Sequence, residues 1–540
     1  MRRFPSHEGG GAMSGFPENV RRGMEACGID PVLTGAILDD WNSGLYANVK
    51  PVRASGVPVV DDSTVVALGR ARNGRTLSFR VPANAALARL AGLGLTLPEA
   101  VRRENSLFVF DEKTLRSIGE TLLPRTAFGV LNGGSATSYA DGKKNRVFGA
   151  EVAAALAPGF EALAPLCRDR PKGLTPAYIN PDGSPGASFL ALKMRARLIA
   201  ATRGAAKTGT ADAHDLHASG DRAVNAGTAD APLFMPLFQM SSSGNNAELK
   251  TAYAEAARDP FLAPLAARTG LDAASWSTGV QPMIAAFTHS SEGEPKRVFS
   301  RAYGEEGRYL PLPGGHGQCF RVLAPVLREL HASGVRFACL GNVDNIAYFP
   351  DPVEIALLAL SGQPAGFDFA FRTPVDVKGG ILVETEVGRT IADIGPAISF
   401  DEVRRLEDSG NVILFNCASG IFDLDWLVPR LDELGRTLPV RFTDQDKDSG
   451  RYSQAEQVTW EIAGLLPGFL AFAVDKYERF IAAKLLVETL LTSGAASGDP
   501  RLPKDMASTQ ERLQAGLAST LVERCGLELR NGRWTPSEEG

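Results

Sequence analysis

The sequence predicts an α/β protein built on a doubly wound, mostly parallel sheet, with a smaller α+β region ahead of it and a short C-terminal tail. Two observations carry this. From Thr126 onward, apolar strand-like runs recur at Ala127 to Leu131, Leu233 to Phe238, Val280 to Phe287, Val335 to Leu340, Phe367 to Phe371, Val412 to Phe415 and Phe469 to Val474. Helical patterns separate several of them. Strands alternating with helices imply crossover connections, and so a parallel sheet covered on both faces.

Taken in order, residues 1–16 hold Arg2, Arg3, polar residues and glycines without the apolar centre of a signal peptide. They are expected to form a frayed tail on a cytoplasmic protein. Residues 17–122 are expected to form an N-terminal domain, with strands at Val57 to Val60, Thr64 to Leu68 and Thr76 to Val81 and helices at Ala85 to Leu93 and Lys113 to Leu123. Residues 123–492 form the main domain. Its helices include Ser188 to Ala201 and a segment striped by Phe320, Leu323, Leu327 and Leu330, which Pro325 is expected to kink. Another opens with Asp351-Pro352, an N-cap followed by proline at the first helical position. Residues 203–231, rich in Ala, Gly, Asp and Thr, read as a loop or insertion. Residues 493–540 read as a linker and one helix.

Composition narrows the function. The chain has 540 residues, 44% hydrophobic and 22% charged, which suits two or three soluble domains. A net charge of -5 argues against nucleic acid as a partner. No uninterrupted apolar run approaches the roughly 20 residues that span a bilayer, so no membrane partner is expected. The six cysteines are scattered without a CxxC pair, which suggests neither zinc nor a disulfide framework.

Three motifs carry chemistry. Leu131-Asn132-Gly133-Gly134-Ser135-Ala136-Thr137-Ser138 follows a strand, and its glycines let backbone N–H groups approach a phosphate or base. It is neither a Walker loop nor GxGxxG. In Arg168-Asp169-Arg170-Pro171-Lys172-Gly173, Lys172 could serve as a point charge on phosphate, with Lys143-Lys144 competing for that role. Gly314-Gly315-His316-Gly317 reads as a glycine cradle holding a histidine. About one helix later, a strand ends in Asn342-Val343-Asp344-Asn345, where a lone carboxylate suits magnesium. His214 and His217 lack a third ligand. Asp444, Asp446 and Asp448 lack the glycine and glutamate of a calcium loop.

In order, these pieces resemble the UDP-sugar pyrophosphorylase family, the UTP:sugar-1-phosphate uridylyltransferases. The series runs Leu131-Asn132-Gly133-Gly134, Pro171-Lys172, Phe189-Leu190-Ala191-Leu192, Met240-Ser241-Ser242, Phe287-Thr288-His289-Ser290, Gly315-His316-Gly317, Asn342-Val343-Asp344-Asn345, Lys378-Gly379-Gly380, Phe415-Asn416 and Arg479 to Lys484. It departs from the family's pattern at Ser135-Ala136, at the long interval between Gly134 and Pro171, and at His289, where glutamine is usual. The resemblance implies a Rossmann-like nucleotidyltransferase fold and transfer from UTP to a sugar 1-phosphate, glucose 1-phosphate by default. The alternatives are an N-acetylhexosamine 1-phosphate or a binding protein that has lost catalysis. By resemblance, Leu131, Asn132, Gly133, Gly134, Gly315 and His316 face the nucleotide. His289 reads the base, with Gln281 as fallback. Lys172, or else Lys144, and Lys484 are catalytic. Asn342, Gly379, Gly380, Asn416 and Lys484 hold the sugar phosphate, and Asp344 holds Mg2+. No oligomeric state is implied.

Overall fold

The structure is a computed structural model and describes residues 15–46, 52–134, 136, 139–208, 234–373 and 379–537. Ser135, Thr137, Ser138, His214, His217, Leu233 and Lys378, all singled out above, lie outside the described residues.

The centre is a mixed ten-stranded sheet whose main path holds eight strands: β1 (Val65–Ala67), β2 (Thr126–Leu131), β3 (Leu237–Ser242), β4 (Trp276–Gln281), β5 (Phe337–Asn342), β6 (Ala365–Phe371), β7 (Leu414–Asp423) and β8 (Leu470–Val474). Their order is β1-β8-β6-β7-β5-β2-β3-β4. All neighbouring pairs are parallel except those of β7, which runs antiparallel to both β5 and β6. A hairpin, Gly380–Thr385 with Gly388–Asp393, hangs from β7.

Successive side chains of a strand point to opposite faces, and here both faces are buried. On β2, Phe128 and Val130 join one apolar cluster while Ala127 and Leu131 join the other. β5 repeats this with Phe337 and Cys339 against Ala338 and Leu340. Helices α1 (Glu112–Leu122), α2 (Ala150–Cys167), α3 (Phe189–Thr208), α5 (Pro352–Ser361) and α6 (Lys504–Glu523) cover the first face, and α4 (Ala324–Ala332) covers the second. The Asp351 carboxylate accepts from Val353 N–H and caps α5, as the sequence predicts. The predicted break before Pro325 falls at Leu323, between Cys319–Val322 and α4.

Several elements depart from expectation. Val57 to Val60 is not a strand: Pro58 has no N–H to give a ladder, and Val59 is exposed. The Val280 to Phe287 run breaks at Pro282 into β4, Met283–Ala285 and Phe287–Thr288. β3 begins later than the run that announced it. β7 is much longer than Val412 to Phe415, because small residues such as Cys417, Ser419 and Gly420 continue it through the core. Residues 17–122 supply the edge strand β1 and pack α1 on α5 so closely that a Cβ on Gly119 would meet the Pro352 carbonyl. The C-terminal segment adds a hairpin, Leu527–Arg530 with Arg533–Pro536, and buries Leu517, Leu521, Cys525 and Leu527 in the main core. By length and composition α2 could cross a membrane; here Val152, Leu156 and Leu163 bury one side of it in that core.

Candidate active site

Most of the predicted residues, His289 excepted, gather at the carboxyl ends of the parallel strands, the usual ligand edge of such sheets. β2 runs into Asn132-Gly133-Gly134, β3 ends at Ser241-Ser242, and β5 ends at Asn342. Leu131 pairs with Asn342 across the ladder. Asn132 is buried and tied on every side. Its N–H donates to the Met240 carbonyl at 2.8 Å, its amide to Gln239 Oε1 at 3.1 Å, and its carbonyl accepts from Asn245 Nδ2 at 2.8 Å.

The long interval between Gly134 and Pro171 closes in space. Helix α2 fills it and returns the chain to the loop. There Lys172 N–H donates to the Gly134 carbonyl at 3.2 Å and Gly173 N–H donates to Asn132 Oδ1 at 3.2 Å. Lys172 Nζ then reaches Asp344 Oδ2 at 2.6 Å, with the Ala483 carbonyl as a second acceptor and the Tyr139 ring 4.8 Å away. Both charged side chains are largely enclosed, 12% and 15% exposed, so solvent screens this pair less than a surface pair. Lys144 sits exposed in the turn Lys144–Arg146, its N–H on Asp141. Lys172 is the lysine that meets Asp344.

The Arg479 to Lys484 segment lies against the turn that holds Asp344. Asn345 Nδ2 donates to the Arg479 carbonyl, Ile481 N–H donates to Asn345 Oδ1, and Ala483 N–H donates to the Asp344 carbonyl. Lys484 is exposed beside this seam, its N–H on Glu488. Beneath it, Arg479 is buried between Glu354 at 2.7 Å, Asp368 at 3.5 Å and Asp351 at 3.8 Å.

The Gly314 to Gly317 turn is packed rather than open, which corrects its reading as a cradle. Gly315 has φ +82°, and a Cβ there would stand 2.4 Å from the Gln457 carbonyl oxygen. A Cβ on Gly317 would meet the same backbone. These glycines let the turn dock on residues 457 to 459. His316 is thereby fixed: Thr459 N–H donates to its Nδ1 at 3.1 Å, and the Thr459 hydroxyl bonds the His316 carbonyl at 2.8 Å. Burial, and secondly the charge of Lys484, pull its pKa down to about 4. A neutral ring accepting at Nδ1 carries its proton on Nε2. His316 therefore offers one neutral N–H donor.

Gln281 joins the two glycine turns. Its buried amide donates to the Gly315 carbonyl at 2.8 Å and to Gln318 Oε1 at 3.0 Å, and its carbonyl oxygen lies 3.4 Å from where a Gly133 Cβ would stand. His289 lies on a different sheet, built from Phe287–Thr288 and the hairpin Val440–Lys447 and Gly450–Gln457. There its Nδ1 accepts from Ser291 N–H and its Nε2 faces Asp444 at 3.6 Å. Neither of these partners belongs to the glycine turns. A third group forms at β7: the Gly380 Cβ position is 3.9 Å from Asn416 Cβ, and Gly379, at φ +143°, abuts the Phe415 ring. Asn416 Oδ1 accepts from Ala418 N–H, where the strand bulges.

The sequence reading missed Thr459, Asn245 and Lys193. Thr459 and Asn245 have no signal beyond their type. Lys193 has one: it stands three and four positions after Leu190 and Phe189, on the apolar stripe of α3.

Among the described residues no three His, Cys, Asp or Glu side chains cluster as a metal cage. One carboxylate at Asp344 fits magnesium, which takes its other ligands from phosphate and water.

A large, mostly parallel sheet flanked by helices is consistent with a nucleotidyltransferase-like fold. Residues 296–494 match the family model for UTP–glucose-1-phosphate uridylyltransferase. Over this segment, somewhat more than a third of the chain, it is similar to the UDP-sugar pyrophosphorylase family. No curated protein sequence matches it. In fold it is similar to the uridine diphosphate N-acetylglucosamine pyrophosphorylase of Trypanosoma brucei, with TM-score 0.58 and 15% identity over 95% of this chain and 83% of that one. It is also similar to a mutant of UDP-glucose pyrophosphorylase from Leishmania major, with TM-score 0.51 and 16% identity over 90% and 80%. A third similar structure is UDP-glucose phosphorylase from Trypanosoma brucei, with TM-score 0.50 and 15% identity over 90% and 80%.

Proposed function

We propose that the protein transfers uridylyl from UTP to a sugar 1-phosphate, glucose 1-phosphate first among candidates, releasing pyrophosphate. The carrying observation is the Lys172–Asp344 pair set directly beside the Asn132 to Gly134 backbone. In this reaction a phosphate oxygen of the sugar attacks the α-phosphorus in line and pyrophosphate leaves. The protein contributes positioning and neutralisation of charge.

The Gly133-Gly134 backbone approaches the nucleotide from the β2 edge. Lys172 neutralises charge developing on the α-phosphate and the leaving group. Asp344 holds magnesium, which when bound supplies further neutralisation of phosphate oxygens. His316 donates its Nε2–H to a phosphate or sugar oxygen without adding charge. Lys484 grips a phosphate at the rim, while Gly379, Gly380 and Asn416 take the hexose.

Base reading is assigned to the joint between the two glycine turns, near Gln281, rather than to His289. The donors of Gln281 already hold Gly315 and Gln318. Its carbonyl oxygen beside Gly133 therefore suits the N–H of a uracil ring.

The test is pyrophosphate release from several nucleotides and sugar 1-phosphates, with and without magnesium. UTP with glucose 1-phosphate is expected to be fastest. Faster turnover of an N-acetylhexosamine 1-phosphate would reassign the sugar. No release from any combination would refute the reading.

A further inference from the structure

We infer that Lys193 is a positioning residue for Asp344: its ammonium is a built-in cation around which the Asp344 turn is wrapped. Lys193 lies on α3 and has no exposed surface. Its Nζ donates to the carbonyls of Asn345 at 2.8 Å, Tyr348 at 2.6 Å and Ile346 at 3.4 Å. The rings of Phe349 and Tyr348 lie 4.2 and 5.4 Å from the same nitrogen. Three ammonium hydrogens thus meet three carbonyls of one short turn, and that turn begins with Asp344.

A buried charge is costly, and no carboxylate bonds this one among the described residues. An apolar side chain of similar length would fill the same space at less cost. It would also leave the Ile346 and Tyr348 carbonyls without donors, the Asn345 carbonyl keeping only the Tyr348 N–H, so the turn in its present form requires the cation. The same turn carries Asn345, whose amide ties the Arg479 to Ile481 segment and thereby sets the Ala483 carbonyl against Lys172. Lys193 therefore bears on both members of the Lys172–Asp344 pair while touching neither.

The inference rests on the reading of Asp344 as a metal ligand, and its test separates the two. In the full chain, Lys193→Met keeps volume and removes the charge. Hydrogen exchange at the amides of residues 345 to 348 is measured together with Mn2+ affinity by electron paramagnetic resonance. Neither readout needs turnover.

Faster exchange confined to this turn and a loss of roughly 10–100-fold in Mn2+ affinity are expected, the range for residues that orient a metal ligand. A folded variant with unchanged exchange and unchanged Mn2+ affinity would overturn the inference. Faster exchange with no Mn2+ binding in either protein would uphold the wrapped turn and refute Asp344 as the ligand. If Lys193→Met does not fold, Lys193→Ala is purified with and without ethylammonium. Restoration of exchange protection by ethylammonium, but not by propane of similar size, would support the built-in cation, and no restoration would overturn it.

Discussion

Gly134 and Gly315 look equivalent in the sequence, each the second glycine of a pair in a polar turn, yet alanine should have opposite effects at the two. At Gly315 the backbone is left-handed, at φ +82°, and the new Cβ would stand 2.4 Å from the Gln457 oxygen and 2.8 Å from its nitrogen. The left-handed conformation costs a non-glycine residue about 1–2 kcal/mol. Forcing a methyl against packed atoms adds about 1–3 kcal/mol. Both obstacles at Gly315 are backbone atoms, which cannot swing aside as a side-chain end could, so the loss should total about 2–5 kcal/mol. At Gly134 nothing lies within 4 Å of the new Cβ, and the residue is exposed. Its stability change should stay within about 0.5 kcal/mol.

The assay is thermal and urea melting of both variants beside the wild type, followed by pyrophosphate release against UTP concentration. Gly315→Ala should melt several degrees lower and lose activity, because His316 rides on that turn. Gly134→Ala should melt like the wild type while its KM for UTP rises, the methyl standing where the nucleotide backbone must pass. Equal melting of the two variants would refute the packed description of the Gly315 turn. Unchanged KM in Gly134→Ala would remove the nucleotide from the β2 edge.

Three further outcomes are expected. Lys172→Ala should lower turnover by about 100-fold or more while the protein still folds, since a preorganised charge-stabilising group is lost; wild-type rates would sink the assignment. His316 has a folded pKa of about 4 against an ordinary value of 6.5, so the folded state disfavours its proton. Its contribution is complete above pH 6.5 and is lost as pH falls toward 4, by about 3 kcal/mol in total. His316→Gln should lose this slope in acid melting, and a variant that keeps it would refute the neutral buried ring. Arg479→Met leaves Glu354 and Asp368 buried without their cation and should cost about 3–5 kcal/mol by urea titration; a loss under about 1 kcal/mol would mean those carboxyls are held by other groups.

How far the sequence reaches follows from what each signal encodes. Apolar periodicity and caps are local, so β2, β5, β6 and β8, the Asp351 cap and the break at Pro325 were legible. Strand direction is not local. Nothing in an apolar run says that β7 must run against its neighbours, and its buried Cys417 to Gly420 stretch lacks the bulk that marks a strand. Glycine is ambiguous in the same way: it serves equally where a ligand comes close and where the protein's own backbone does. Only the Gln457 contact separates these for Gly315.

Distance along the chain misleads most where it matters most. Lys144 stands nearer the glycine turn in sequence than Lys172, but the turn's carbonyl and the Asn132 side chain are satisfied by Lys172 and Gly173 N–H groups. The residues between leave as helix α2, bury one side of it in the core and return to the point of departure. An insertion of that form adds length without moving the site, because both of its ends are fixed by the same two hydrogen bonds. A shortened chain that deletes α2 and rejoins its ends should therefore keep the Lys172–Asp344 pair only if those two bonds re-form, and Asn132→Ala, which removes one of them, should weaken the placement of Lys172 with α2 intact. Undiminished turnover in Asn132→Ala would show that other contacts hold Lys172 in place.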